Sequence, residues 1–145
     1  MNDIRLINFR ENGDDRGRLV IIDGINDIPF EIKRVFYIYG SEKGVMRGRH
    51  ANRKSEFILI NVKGTSKIMV NNGMSKQVFT LDKPHMGIYL PKMVWKNMYD
   101  FSTDSILLVL ASEHYDPSEY ITDFEQFMKE THNFSEQDIQ YSSLV

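Results

Sequence analysis

The 145-residue sequence contains no cysteine and no long apolar run. The lack of cysteine excludes a disulfide framework and thiolate chemistry. No apolar run approaches the roughly 18 residues that a membrane-spanning helix needs. The first ten residues also lack the apolar core of a signal peptide. We therefore predict a cytoplasmic protein with no membrane partner.

The chain also lacks a strong charge of either sign and any repeat, linker or low-complexity segment. Its net charge is −2, so no overall basic field recruits nucleic acid, and we predict no nucleic-acid partner. The composition is 41% hydrophobic and 12% aromatic, which is typical of a globular protein with a sizeable core. Together these features predict a single domain over residues 1–145.

Short segments rich in β-branched and aromatic residues recur along the first three quarters of the chain, separated by turns with Gly, Asn and Asp. Such spacing predicts a mainly β fold, either a sandwich or a barrel. Asn72-Gly73 between two of these segments predicts a hairpin. The predicted strands are Arg5 to Phe9, Leu19 to Asp23, Phe30 to Tyr39, Phe57 to Val62, Ser66 to Val70, Gln77 to Leu81, Met86 to Leu90 and Ser105 to Ala111.

The pattern changes near the C-terminus, where Asp116-Pro117-Ser118-Glu119 resembles a helix N-terminus. Aromatic residues at Tyr120, Phe124 and Phe127 follow with gaps of three and four residues. They predict an amphipathic helix of about four turns, packed on the outside of the barrel or on a partner. A second short helix is predicted from Ser135.

The stretch from Gly44 to Gly64 carries the main chemical signal. A polar, basic turn holds His50 and runs into an apolar strand, so it could sit rigidly at a pocket mouth. Its spacing resembles the first motif of the cupins, small jelly rolls that often bind a metal. The second motif histidine is here Asn52, and two residues apart on a strand would place both side chains on one face.

The comparison with the cupin motifs also argues against a metal site. A second cupin motif would bring another histidine, but its counterpart after Pro91 is Lys96. A protonated lysine cannot ligate a metal, and asparagine is a poor ligand for transition metals. His50 and Glu56 alone are too few for a tight site. We therefore predict no metal.

Several runs in this order resemble the dTDP-4-keto-6-deoxyglucose 3,4-ketoisomerases, also called the WxcM-like or sugar 3,4-ketoisomerase family. The runs are I-K-R-V-F-Y-I-Y from Ile32, R-G-R-H-A-N-R-K-S-E from Arg47, V-W-x-N-M from Val94, L-V-L-A-S from Leu108 and Y-D-x-x-x-Y-I from Tyr115. The resemblance implies a cupin-type antiparallel jelly roll that forms homodimers. It implies an enzyme of surface-polysaccharide synthesis that uses no metal or redox cofactor and moves a keto group from C4 to C3 of a dTDP-linked sugar.

In such a reaction a base removes the C3 proton, an enediol forms, and a proton returns to C4. His50 is the candidate base, because imidazole is suited to proton transfer near neutral pH. Asn52 cannot relay protons, but it could hydrogen-bond an enediolate oxygen. Either His50 carries the proton both ways, or Tyr37, Tyr39 or a water shares the task.

The candidate substrate-binding residues are mainly basic and aromatic. Arginines suit forked contacts with diphosphate oxygens, and Trp95 could equally wall the pocket or simply pack. The resemblance also implies that Arg at position 16 accompanies a galacto product, although the family's usual histidine at position 96 is missing. The predicted substrate-binding residues are Arg16, Arg34, Tyr39, Arg47, Trp95 and Lys96.

Three alternatives stay open at this stage. A 3,5-epimerase would use the same base but needs a tyrosine acid on the opposite face of the sugar. The second alternative is a protein that binds a nucleotide sugar without catalysis, because Asn52 replaces the other histidine of the cupin motif. The third is a ketoisomerase that gives the gluco product.

Overall fold

Residues 3–132 are described in a computed structural model, and they form twelve strands and one α-helix. The helix, α1, covers residues 124–132. None of the helices within these residues is long and apolar enough to cross a membrane. The strands are β1 (Arg5–Asn8), β2 (Arg10–Asp14), β3 (Gly17–Ile21), β4 (Arg34–Tyr39), β5 (Arg47–Asn52), β6 (Phe57–Lys63), β7 (Ser66–Asn71), β8 (Lys76–Leu81), β9 (Met86–Leu90), β10 (Trp95–Tyr99), β11 (Ile106–Ala111) and β12 (Tyr120–Ile121).

Two five-stranded antiparallel sheets make up most of the fold. The first has the order β1-β9-β6-β11-β4 and the second the order β12-β5-β10-β7-β8. Strands β2 and β3 form a separate two-stranded hairpin. The predicted mainly β, antiparallel fold with a C-terminal helix is confirmed.

Strand β6, at the centre of the first sheet, is buried on both of its faces over residues 57–61. Phe57 and Leu59 of β6 belong to the core between the sheets, whereas Ile58 and Ile60 belong to a cluster on the outer face. That outer cluster includes Phe9, from the chain that follows β1. Because successive side chains of a strand point to opposite faces, a strand covered on both sides must be apolar at every position. This explains the unbroken apolar run that the sequence carries here.

The predicted hairpin between β7 and β8 is confirmed at Asn72-Gly73. The two strands pair from Ser66↔Leu81 to Asn71↔Lys76. Gly73 has a φ of 93°, a conformation that glycine adopts without strain. The Oδ1 atom of Asn72 accepts hydrogen bonds from the backbone N–H groups of Met74 and Ser75. These contacts close the turn.

The predicted start of the C-terminal helix is wrong. Asp116 does accept a hydrogen bond from the backbone of Ser118, but it begins only a single 3₁₀ turn, Pro117–Glu119. The chain then extends as β12, which pairs with β5. Helix α1 starts at residue 124, where Asp123 accepts a hydrogen bond from the backbone of Glu125. The second helix predicted from Ser135 lies outside the described residues.

The predicted polar turn before the apolar strand is also wrong, because residues 47–52 form strand β5. This strand was hidden by its charged residues and by Gly48, which interrupt any apolar alternation. Strand β10 was missed for a related reason: the adjacent polar residues Lys96 and Asn97 interrupt any alternation of apolar and polar positions. Both strands belong to the second sheet, where they are neighbours.

Candidate active site

A cavity of about 380 Å³ lies between the two sheets, within the usual size range of small-molecule sites. Strands of both sheets line it. Its apolar wall comes mostly from the first sheet and consists of Phe36, Ile38, Phe57, Leu59, Met98 and Val109. Its polar groups come mostly from the second sheet and consist of Tyr37, Arg47, His50, Lys96 and Tyr120.

A β-bulge in β5 places His50 in this cavity. His50 pairs with Lys96 of β10, but the next pair along is Gly48 with Asn97, so Arg49 is the extra residue. Arg49 has a φ of 57° and Gly48 a φ of 85°. A Cβ atom on Gly48 would lie 2.9 Å from the Lys96 carbonyl oxygen. Glycine at this position therefore permits both the bulge and the close approach of β10.

The environment of His50 favours a neutral imidazole. Burial and the nearby Lys96 ammonium lower the pKa of His50 to about 4, against the opposing effects of the Gly48 backbone and Glu119. The Tyr120 ring packs against the imidazole at 4.9 Å between centroids. A neutral imidazole at physiological pH is able to accept a proton, which is what a general base requires.

Lys96 is the cavity-lining neighbour of His50 across the β5–β10 pair. It is only 4% exposed, and burial lowers its pKa to about 7, against the attraction of Glu119. The Nζ atom donates a hydrogen bond to Asn52 Oδ1 at 3.1 Å and lies 4.8 Å from the centre of the Phe57 ring. With this pKa, both the ammonium and the amine form of Lys96 are accessible near neutral pH.

Asn52 lies behind Lys96 rather than at the cavity surface. Its Oδ1 accepts from Lys96, and its Nδ2 donates to Glu119 Oε1 at 3.0 Å. Both ends of the amide are therefore engaged within the protein. The predicted contact from Asn52 to an enediolate oxygen would require one of these bonds to break, whereas the observed contacts hold the Lys96 side chain in place.

Glu119 anchors the network from the 3₁₀ turn. It is 3% exposed, and its carboxylate accepts hydrogen bonds from the Ser55 hydroxyl at 2.7 Å and the Ser55 backbone at 2.9 Å. Burial opposes the charge of Glu119, but the hydrogen bonds from Ser55, Asn52 and the backbone of Lys54 outweigh it and keep the pKa below its ordinary value. Among residues 3–132, Glu119 and Lys96 are the two buried charged side chains.

Two arginines offer nitrogen atoms to an anion: Arg47 at the cavity, and Arg34 beside the cavity-lining Tyr120. Arg47 lines the cavity and forms no salt bridge with any residue from 3 to 132. Arg34 Nη1 lies 3.5 Å from the Tyr120 hydroxyl, while its Nε and Nη2 are buried without a hydrogen-bond partner in the described chain. Buried guanidinium nitrogens normally find acceptors, so this pair of atoms suits an anionic group from outside the chain.

The predicted aromatic residues take three different places. Tyr37 lines the cavity although its residue is 61% exposed. Tyr39 is 70% exposed and does not line the cavity; its ring lies 6.0 Å from that of Tyr37 on the edge strand β4. Trp95 is a correction: it packs on the opposite side of the second sheet, against Phe124 and Phe127 of α1.

Arg16 lies apart from the cavity within the chain. It sits at the tip of the β2–β3 hairpin, and its side chain is 87% exposed. Its guanidinium Nη2 lies 2.6 Å from Asp14 Oδ2, its neighbour in the same turn. Any contact with a sugar would have to come through a second subunit or a movement of the hairpin.

No cluster of three or more His, Cys, Asp or Glu side chains that could hold a metal occurs within residues 3–132. Glu56, the carboxylate of the cupin-like motif, is instead hydrogen-bonded by the Tyr89 hydroxyl. Tyr89 belongs to the outer cluster of the first sheet. His50 and Glu56 therefore do not form a shared site.

Two neighbours of the candidate site residues were missed in the sequence, Glu119 and Tyr120. Both fall in the segment predicted as a helix, where Tyr120 was assigned to an apolar stripe. A signal was available, because Tyr120, Ile121 and Thr122 are β-prone residues directly before Asp123, an aspartate that can cap a helix.

The chain matches the family described as WxcM-like, C-terminal (FdtA) over residues 2–132. The chain belongs to this family. Among curated proteins it is 41% identical over 125 residues to the TDP-4-oxo-6-deoxy-alpha-D-glucose-3,4-oxoisomerase of Aneurinibacillus thermoaerophilus, covering 86% of this chain and 90% of that one. The predicted family resemblance is thus confirmed.

Solved structures of similar proteins agree with the fold. WlaRA of Campylobacter jejuni, described as a TDP-fucose-3,4-ketoisomerase, is 41% identical, with a TM-score of 0.86 and coverage of 92% of this chain and 98% of that one. A mutant of the 3,4-ketoisomerase QdtA of Thermoanaerobacterium thermosaccharolyticum, in complex with TDP-4-keto-6-deoxyglucose, is 36% identical, with a TM-score of 0.89 and coverage of 92% and 96%.

Proposed function

We propose that the chain is a dTDP-sugar 3,4-ketoisomerase that converts dTDP-4-keto-6-deoxyglucose into dTDP-3-keto-6-deoxygalactose. In this reaction C3 is oxidised from alcohol to ketone and C4 is reduced from ketone to alcohol. Both changes occur in one substrate, so proton transfers alone balance the reaction. The observation that carries the proposal is a neutral His50 facing a cavity of sugar size in a member of this family.

His50 is the base that takes the proton from C3. It faces the cavity from a rigid strand pair, and its lowered pKa keeps it ready to accept a proton at neutral pH. The enediol that forms carries its oxygens at C3 and C4, close to the polar wall of the second sheet. Fixed hydrogen-bond donors at such oxygens stabilise the developing charge.

The diphosphate of the substrate binds at Arg34 and Arg47. Arg47 is exposed at the cavity and free of salt bridges within residues 3–132, and Arg34 offers two buried nitrogens without partners. Guanidinium groups match pairs of phosphate oxygens better than ammonium groups do. Tyr37, at the cavity rim, completes this side of the substrate site.

The galacto configuration of the product follows from the use of one base. In the gluco-configured substrate the hydrogen on C3 lies on one face of the ring, and in a galacto product the hydrogen on C4 lies on that same face. A single imidazole that takes the first proton and returns it therefore gives the galacto product. A gluco product requires delivery to C4 from the opposite face.

A homodimer is part of the same proposal. Strand β4 is an edge of the first sheet, and Val35, Tyr37 and Tyr39 form an exposed row along it, with Tyr37 also bordering the cavity. A second subunit that covers this edge would remove the exposed row from water and satisfy the strand edge. It would also allow the Arg16 hairpin of one subunit to approach the sugar in the other. A monomer by light scattering at micromolar concentration would contradict this arrangement.

The cellular setting follows from the substrate. A nucleotide diphosphate sugar is charged and does not cross membranes unaided, so an enzyme that consumes it works in the cytoplasm. The product, a 3-keto sugar, is suited to amination at C3 and use in surface polysaccharides. Neither role requires a metal or a redox cofactor.

The test is the identity of the product. Purified protein is incubated with dTDP-4-keto-6-deoxyglucose, the product is trapped by enzymatic amination at C3, and proton couplings are read by NMR. We expect an amino group at C3 and an axial hydroxyl at C4. An equatorial C4 hydroxyl would contradict the galacto product, and binding without turnover would contradict the enzyme.

A further inference from the structure

The proposed reaction leaves a second proton transfer without an assigned group. While His50 works at the carbons, the C4 oxygen must gain a proton and the C3 hydroxyl must lose one. An amide cannot perform this exchange, and both ends of Asn52 are already engaged. The group must reach the cavity and carry an exchangeable proton.

Lys96 meets both conditions through its position in the sheet. It is paired directly with His50 across β5 and β10, so the two side chains lie side by side on the same face and both line the cavity. Sugar atoms that lie against His50 would therefore lie against Lys96 as well. In such a pose one group would work at the carbons and the other at the oxygens of the same C3–C4 bond.

The surroundings of Lys96 hold its side chain in place, but no carboxylate in the described part of the chain contacts the ammonium group directly to neutralise its charge. Its nearest fixed acceptor is the neutral Asn52 oxygen at 3.1 Å, and the Glu119 carboxylate lies on the far side of that amide. No salt bridge within residues 3–132 involves Lys96. A lysine kept for structure alone would be expected to contact the carboxylate directly, because an unpaired buried ammonium is destabilising.

We infer that Lys96 is the second acid–base group of the reaction. This inference rests on the proposed ketoisomerase function. In the first half, His50 takes the C3 proton while the Lys96 ammonium gives a proton to the C4 oxygen, and the neutral enediol forms. In the second half, the Lys96 amine takes the proton of the C3 hydroxyl while the His50 imidazolium gives its proton to C4. Both side chains then regain their starting states.

The charged and titratable groups around Lys96 fit this cycle. Burial lowers the pKa of Lys96 to about 7, so ammonium and amine are both accessible near neutral pH. Strands β6 and β7, which also face it, contribute the apolar Phe57, Leu59 and Val70. The other polar groups that face this cavity or the network behind it are Tyr37 of β4, Arg47 and His50 of β5, Tyr120 of β12 and Glu119 of the 3₁₀ turn.

Two substitutions test whether Lys96 transfers a proton or only provides a positive charge. Lys96→Arg keeps the positive charge but does not titrate near neutrality, and Lys96→Met removes both charge and proton. We expect each to lower kcat by about 10²–10⁴-fold, the usual range for a lost general acid or base. The same changes at Lys83, an exposed lysine in the turn between β8 and β9, are the matched controls and leave kcat unchanged.

The pH profile supplies a readout that a structural role would not move. The active form has His50 neutral and Lys96 protonated, so wild-type kcat/KM falls below about pH 4 and above about pH 7. Both Lys96 variants lose the alkaline limb near pH 7, while their affinity for TDP stays close to that of the wild type. Wild-type kcat in Lys96→Arg, or an unchanged alkaline limb in both variants, would overturn the inference.

A direct titration keeps the inference testable if a variant fails to fold. Wild-type protein labelled with ¹³C at the lysine ε carbon is titrated by NMR, and we expect one lysine resonance to titrate near pH 7. The inference would be overturned if every lysine resonance titrated near the ordinary pKa of lysine. If the wild-type protein makes no 3-keto product, the proposed function fails; if it does and the Lys96 variants match it, only this inference fails.

Discussion

The two faces of the second sheet use the same strands for opposite purposes. The inner face carries His50, Lys96 and Tyr120, which line the cavity. Their immediate neighbours in sequence, Ala51, Trp95 and Ile121, point outward and form an apolar cluster with Phe127 of α1. Cavity-lining and packing residues therefore alternate along these strands, and the outer cluster supports the strands that carry the proposed proton-transfer groups.

The largest effect should follow from a change on the inner face. His50→Asn removes the proposed base, so we expect kcat to fall by about 10²–10⁴-fold. Affinity for TDP, measured by calorimetry, should change little because the arginines are intact. His114→Asn, at an exposed histidine that does not line the cavity, is the control. A His50 variant with a near wild-type rate would show that the inner face does not supply the base.

On the outer face the expected loss is of stability rather than chemistry. Phe127 is fully buried against Trp95, so Phe127→Ala should lower the free energy of unfolding by about 3–5 kcal/mol. Phe124→Ala, on the same helix but 43% exposed, should lower it by clearly less. Urea unfolding measures both. Equal losses, or a Phe127 variant that is stable but inactive, would contradict the division between the faces.

The buried ammonium of Lys96 on the inner face should destabilise the folded protein to a degree that depends on pH. The folded pKa of Lys96 is about 7, below its ordinary value, so between those two pH values the unfolded chain binds more protons than the folded one. The contribution of Lys96 to the free energy of unfolding therefore rises as the pH increases from its folded pKa to its ordinary pKa. The rise is on the order of a few kcal/mol.

The matching measurement compares wild type with Lys96→Met at each pH. The difference in unfolding free energy should favour the variant most below pH 7 and shrink as the pH rises. A constant difference across the window would contradict a buried, easily deprotonated lysine.

The smallest effect is expected from metal removal. His50 and Glu56 lie in different environments, and no cluster of three or more metal-binding side chains occurs in residues 3–132. Extended dialysis against a chelator should leave kcat unchanged. Loss of activity that zinc, iron or manganese restores would contradict the proposed mechanism.

The apolar strands were predictable because their composition carries the signal. β9 was predicted with its observed bounds, and β6, β7, β8 and β11 within one residue at either end. Strands β5 and β10 were not, since polar and charged residues interrupt the apolar pattern of each strand. The site depends on those two strands, so the sequence indicated its residues but not their arrangement.

Alternation explains which site residues were misplaced. Trp95 and Lys96 were both assigned to the pocket, although adjacent residues on a strand point to opposite faces. Once β10 is recognised as a strand, only one of them can line the cavity. The bulge at Arg49 is harder to foresee, because it lets Arg47, Gly48 and His50 all reach the cavity. Glu119 could not be placed without knowing that β12 pairs with β5.

The most direct test of the inner face as a proton-transfer surface is hydrogen exchange in deuterated water. The wild-type enzyme is incubated with dTDP-4-keto-6-deoxyglucose, and the sugar protons are followed by NMR. We predict exchange at C3 of the substrate, no exchange at C5, and appearance of the 3-keto product. The hydrogen added at C4 of that product should lie on the ring face from which the C3 hydrogen was removed. Exchange at C5 without formation of a 3-keto sugar would contradict the account, because it would mark an epimerase rather than a ketoisomerase.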